Sequence, residues 1–174
     1  MDFCRDAGRR RALMIGSMIG GVLALWLVAP GQGQAFTLKD AEFVVSVSDG
    51  EGNERQTLSD LVPYLPDRAC FGWRLRLTGV PALVKYREVL KLPVAPAFWS
   101  GEGDEYSPHR FSADRTLVTT EEFAAPDADG WIASTWCIVE GDPAGPHSID
   151  VYIEDRLARH FDFEVRKLSG TTEN

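Results

Sequence analysis

The sequence predicts an all-β domain, an antiparallel β-sandwich of about seven strands, and three observations lead there. Apolar and polar residues alternate along several short runs, clusters of Gly, Pro, Asn and Asp separate those runs, and few stretches carry helical signals.

The alternation is clearest near the C-terminus. Ile149, Val151 and Ile153 interleave with Asp150, Tyr152 and Glu154; Phe161, Phe163 and Val165 interleave with His160, Asp162 and Glu164. Each pattern gives a strand one dry and one wet face. The short polar link Asp155-Arg156-Leu157 makes residues 148–154 and 158–165 a hairpin. A lone hairpin is marginal in water, so its apolar face needs a second layer.

At the other end, residues 1–35 read as an export signal. Arg5 and Arg9-Arg10-Arg11 form a positive segment, residues 12–29 are apolar or small, and Gly33-Gln34-Ala35 offers small residues for cleavage before Phe36. Two alternatives stay open. Residues 12–29 could remain as an inner-membrane anchor, although the run is short for a span. Arg10-Arg11-Ala12-Leu13-Met14 also loosely resembles a twin-arginine signal. Cleavage leaves residues 36–174 as a single domain, periplasmic or secreted, with no membrane attachment. It also removes four Arg and two acids, moving the formal charge from −8 to −10. So acidic a chain has no electrostatic reason to seek nucleic acid or an anionic membrane. Every methionine leaves with the signal, which excludes thioether copper sites.

Cys4 lies in the signal, so Cys70 and Cys137 are the thiols of the domain. In an oxidising compartment a disulfide is expected, stabilising by roughly 4 kcal/mol in the chain-entropy model. The alternative is two separate thiols; a redox centre would normally place its sulfurs as C-x-x-C. In residues 70–78, Phe71, Trp73, Leu75 and Leu77 form one face, which leaves Cys70 on the other with Arg74 and Arg76. Cys137 shares a face with Trp131, Ala133 and Val139, opposite Ile132, Trp136 and Ile138; both faces are apolar, so periodicity leaves the buried one open. A bridge therefore needs either a bulge near Gly72 or two neighbouring strands joined on the outer face of one sheet. We favour the second.

Among the other segments, residues 42–48 read as a first strand, and Asp49-Gly50-Glu51-Gly52-Asn53 as a turn. Pro63 and Pro66 limit residues 58–67 to one helical turn at most. Residues 84–92 place Val84, Tyr86, Leu90 and Leu92 on one face. That puts Glu88 on the apolar side and Val89 on the wet side, so a bulge or an edge position is expected there.

The long connection 93–114 is the candidate binding loop. Pro93, Pro96, Gly101, Gly103 and Pro108 break regular structure, and Phe98, Trp99, Glu102, Asp104, Glu105 and His109 carry the chemistry. Loops of this length in a compact domain are usually functional or disordered. One reading is a ligand or metal site using His109 and the carboxylates. The other is a solvated loop whose Phe98 and Trp99 fold back on the sandwich. The acids follow no calcium-loop template, so no metal ligand and no cofactor is assigned. His147 and His160 read as surface residues. Residues 36–174 hold no G-x-S-x-G, H-E-x-x-H or Gly-rich phosphate motif, and no catalytic residue is assigned.

The run Phe71-Gly72-Trp73-Arg74-Leu75-Arg76-Leu77-Thr78-Gly79-Val80-Pro81, the Pro-containing stretch after Leu92, Trp136-Cys137-Ile138-Val139-Glu140-Gly141 and Phe161-Asp162-Phe163-Glu164-Val165 resemble a bacterial family of exported domains of unknown function. The resemblance covers most of residues 42–165 and implies an immunoglobulin-like layout. It carries no catalytic residues, and Cys70 and Cys137 are not part of its pattern. The expectation is a non-catalytic binding or accessory module that meets a protein or envelope component through a sheet edge or the 93–114 loop. The alternative is a small metal-dependent protein or enzyme using Glu102, Asp104, Glu105 and His109.

Overall fold

The computed structural model describes residues 36–99 and 101–168, so the expected export signal lies outside the described residues. The strands are β1 (Thr37–Ser48), β2 (Glu54–Leu58), β3 (Leu61–Pro63), β4 (Ala69–Thr78), β5 (Val84–Lys91), β6 (His109–Phe111), β7 (Leu117–Ala124), β8 (Trp131–Cys137), β9 (Gly145–Ile153) and β10 (Arg156–Arg166). They build a four-stranded sheet in the order β2-β1-β4-β8 and a six-stranded sheet in the order β3-β10-β9-β5-β7-β6. All pairings are antiparallel except β10 with β3. The molecule is an immunoglobulin-like β-sandwich.

The expected count of about seven strands becomes ten among the described residues, because short pieces extend the sheet edges: β2 has five residues, and β3 and β6 have three each. β3 lies where a helical turn was the most that residues 58–67 could form. With two prolines denying the helix, Val62 is instead buried and pairs with Val165.

The closing hairpin forms with a tighter turn than expected. Glu154 and Asp155 alone make the corner, at φ 48° and 61°. Positive φ at both central residues is the geometry that matches strand twist in a two-residue hairpin. The register then shifts between Leu157 and Arg159, which keeps Phe161, Phe163 and Val165 on the buried face.

The core is the meeting of the two inner faces. Trp73 and Leu75 on β4 oppose Ile149, Val151 and Ile153 on β9, and all five are buried. At one end Phe163 stacks on Phe43 at 4.6 Å and lies 4.8 Å from Phe71. Cutting Trp73 back to alanine would cost about 3–5 kcal/mol, as large aromatic deletions in cores do.

Cys70 and Cys137 face each other directly across β4 and β8 and are bonded. Both lie on the outer side of the four-stranded sheet, the arrangement favoured from periodicity. The buried face of β8, which periodicity left open, is the one bearing Ile132 and Trp136. Beside the bridge the strands run close: a Cβ on Gly72 would stand 2.1 Å from the Ser134 carbonyl oxygen. Only glycine allows that approach.

Glu88 sits in neither a bulge nor an edge. β5 is an interior strand between β9 and β7 and alternates regularly along its length. The carboxylate therefore points into the sandwich.

Candidate functional site

Register places a polar row on the inner face of the six-stranded sheet. Val151, Glu88, Thr120 and His109 lie side by side on β9, β5, β7 and β6. An apolar row of Ile149, Leu90, Val118 and Phe111 lies on one side of it, and Ile153, Tyr86 and Glu122 on the other. Opposite stand Trp73 from β4 and Ser134 and Trp136 from β8.

Glu88 is 1% exposed, and both its oxygens are occupied. The Trp73 indole N–H donates to Oε2 at 2.6 Å and the Trp136 indole N–H to Oε1 at 2.7 Å. Burial pushes its pKa up; the two indoles and Ser134 oppose this, while the Glu122 charge adds to it. A buried carboxylate persists only where donors meet it. Nearby, the Tyr86 hydroxyl donates to Glu122 at 2.7 Å, and burial with that acidic neighbour raises the phenol well above its ordinary range.

From this row a cavity of about 530 Å³ opens between the sheets. Its walls are largely apolar: Phe71, Leu90, Leu92, Phe98, Trp99, Trp136 and Ile138. Glu88, His109, Thr120, Glu122, Asp142 and His147 supply polar groups. His109 Nδ1 is 2.8 Å from the Thr120 hydroxyl, and burial lowers its pKa against the pull of Glu122. Asp142 accepts the Val139 N–H at 2.9 Å; burial raises its pKa. Such a space suits a small ligand or a partner side chain.

The 93–114 loop forms part of the wall but does not gather its acids. Trp99 turns inward, donates to the Arg115 carbonyl at 3.0 Å, and packs on Phe111 and Trp136. Phe98 lines the mouth and is 53% exposed. Glu102 instead holds Arg115 through two bonds of 2.9 and 2.7 Å, and Asp104 caps the Tyr106 N–H at 2.9 Å. Glu105 is exposed. None of these acids lines the cavity, so the site proposed for them with His109 is not assembled. Among the described residues no group of three or more His, Cys, Asp or Glu is placed to hold a metal ion.

His147, read from sequence as a surface residue, is buried and lines the cavity, its ring stacked 5.2 Å from Phe163. The correction follows from β9 starting at Gly145: the strand continues inward-facing alternation back from Ile149 to His147. His160 is exposed, as expected, between Asp150 and Asp162. Sequence reasoning placed Glu88 on the apolar side but gave it no part in a site. Its signal was there in a carboxylate in phase with Tyr86, Leu90 and Leu92, in a chain with tryptophans to donate to it.

Two stacked sheets with a cleft between them define an immunoglobulin-like β-sandwich domain whose candidate ligand site is the inter-sheet cavity. Residues 41–166 match the model of the PM0630 beta sandwich domain, and the chain belongs to that family. A crystal structure of an immunoglobulin-like protein (PA1606) from Pseudomonas aeruginosa is similar to it at 16% identity and a TM-score of 0.48. The likeness covers 77% of this chain and 99% of that one. A search of curated proteins finds no match.

Proposed function

We propose that the protein is an exported accessory domain of the bacterial envelope that binds a small ligand or a partner side chain in the cleft between its sheets. The observation that carries the reading is the cavity itself, about 530 Å³ and walled by Phe71, Phe98, Trp99 and Trp136. Aromatic walls with a few fixed polar groups are the general form of a binding pocket. Binding rather than catalysis is favoured by Glu88, whose two oxygens are each engaged by an indole N–H from the facing sheet and so serve to tie the sheets together. Export is favoured by the bonded Cys70–Cys137 pair, a bond that persists in oxidising compartments, and by the signal-like residues 1–35.

The test has two readings from one preparation. Intact mass of protein recovered from the periplasmic fraction should begin at Phe36 and lack two hydrogens. A cytoplasmic, full-length, reduced chain would overturn the export half. Substituting Trp136→Ala should then abolish retention of whatever small molecule or peptide native mass spectrometry finds on the wild-type domain; unchanged retention would move the site elsewhere.

A further inference from the structure

Two polar groups that line the cavity, His147 and Asp142, keep an acceptor uncommitted. His147 is 7% exposed and lines the cavity. Its Nδ1 lies 2.9 Å from the Gly145 carbonyl oxygen. A carbonyl can only accept, so Nδ1 carries the hydrogen and Nε2 is left as a bare lone pair. Among the described residues no donor reaches Nε2. Burial lowers the pKa of this histidine, which keeps the ring in that neutral, accepting form. Asp142, five residues earlier on the approach to β9, is in the same position. One oxygen takes the Val139 N–H, and among the described residues no donor reaches the other.

The charge around the cavity has one sign. Glu88, Glu122 and Asp142 line it, and among the described lining residues there is no Lys or Arg. Aromatic faces complete the wall, and these attract cations through the ring quadrupole. A neutral guest would leave Asp142 uncompensated in partly desolvated surroundings, and an anionic one would be repelled.

We propose that the cleft takes an alkylammonium group, its N–H donors on His147 Nε2 and Asp142 and its carbon chain along Trp99 and Trp136. This rests on the reading of the cleft as a ligand site and names the chemistry of the guest. The group could belong to a free amine or to a lysine side chain of a partner protein.

The experiment titrates the purified, disulfide-intact protein with n-hexylammonium chloride, n-hexanol, sodium n-hexanoate and an acetylated Gly-Lys-Gly amide, following the indole N–H signals by ¹H–¹⁵N NMR. Saturable shifts with hexylammonium are expected at concentrations at least tenfold below those needed for hexanol, with no response to hexanoate. Asp142→Asn and His147→Phe should each weaken hexylammonium binding by tenfold or more; the phenyl ring of the second preserves the stack on Phe163. Glu105→Gln, outside the cavity, should change nothing. A matching response to the peptide assigns the group to a lysine side chain, and its absence to a free amine. If hexanol or hexanoate binds as tightly as hexylammonium, the cation is overturned and the cleft stands. If none of the probes shifts any indole signal, the cleft reading falls with it.

Discussion

Trp136 and Glu88 are joined across the gap between the sheets, the indole N–H of one on the carboxylate of the other at 2.7 Å. Trp73 holds the second oxygen from the same sheet. An interior strand of the larger sheet is thereby tied to β4 and to β8, which has a neighbour on one side only. The carboxylate is a brace that holds the two sheets together beside the cavity it lines. Charge-assisted hydrogen bonds suit this use, being roughly twice as strong as neutral ones.

Glu88→Gln should therefore destabilise the fold even though it removes a buried charge. The amide keeps one acceptor and turns an NH₂ toward the other indole N–H, so one buried donor loses its partner, at a cost of about 1–3 kcal/mol. Glu88→Leu strands both indoles and should cost more. Urea unfolding monitored by tryptophan fluorescence measures both. Equal stability of wild type and Glu88→Leu would show that the two hydrogen bonds only offset the burial of the charge.

The bridge between Cys70 and Cys137 closes a long loop onto strands that already pair from Arg76–Trp131 onward. Replacing both cysteines by serine should lower stability by about 4 kcal/mol in the chain-entropy model. The ladder survives because its hydrogen bonds do not depend on the sulfurs. The check is the denaturation midpoint with and without dithiothreitol: the wild type should shift and the double variant should not. A wild-type midpoint unmoved by full reduction would mean the denatured chain gains nothing from release of the bridge.

Much of this fold was legible because burial of one face imposes a period of two. The strands of residues 70–78, 84–92 and the closing hairpin all showed it, and so did the outward direction of Cys70. What periodicity could not show was pairing. Tyr86, Glu88 and Leu90 were seen on one face, yet the carboxylate looked like an irregularity because its partners lie 15 and 48 residues away. His147 was hidden by the Pro and Gly before it, which signalled turn where the strand had already begun. The acids at 102–105 were visible as a cluster, but their engagement with Arg115 and with local backbone depends on how the loop folds.

The three histidines of the described chain should titrate apart. Asp150 at 2.6 Å and Asp162 at 3.0 Å hold the His160 imidazolium and raise its pKa above the ordinary 6.5. Its contribution to stability is thus present below that value and lost as pH rises through the folded-state pKa. Burial lowers His147 and His109 below the same reference. Their contribution is present above 6.5 and is lost as pH falls through their folded values. NMR titration of the imidazole Cε1 protons separates these, and Asp150→Asn with Asp162→Asn should return His160 toward 6.5. A His147 that titrates at or above the value of an unfolded peptide would contradict its burial as a neutral acceptor.

The corner of the closing hairpin asks for a different pair of residues than it has. Glu154 and Asp155 both hold positive φ, 48° and 61°, a region that costs ordinary L-residues roughly 1–2 kcal/mol. Asn and Gly enter it far more readily and are the preferred pair of this turn. Glu154 gives something back, since its carboxylate lies 3.4 Å from the Lys85 N–H; that contact is long and exposed, so its loss is minor. The double change Glu154→Asn with Asp155→Gly should raise stability by about 1 kcal/mol, read as a higher urea midpoint at unchanged slope. Since the turn sets the register that aims Phe161 and Phe163 inward, a lower midpoint would mean that this corner is held by contacts beyond its own backbone.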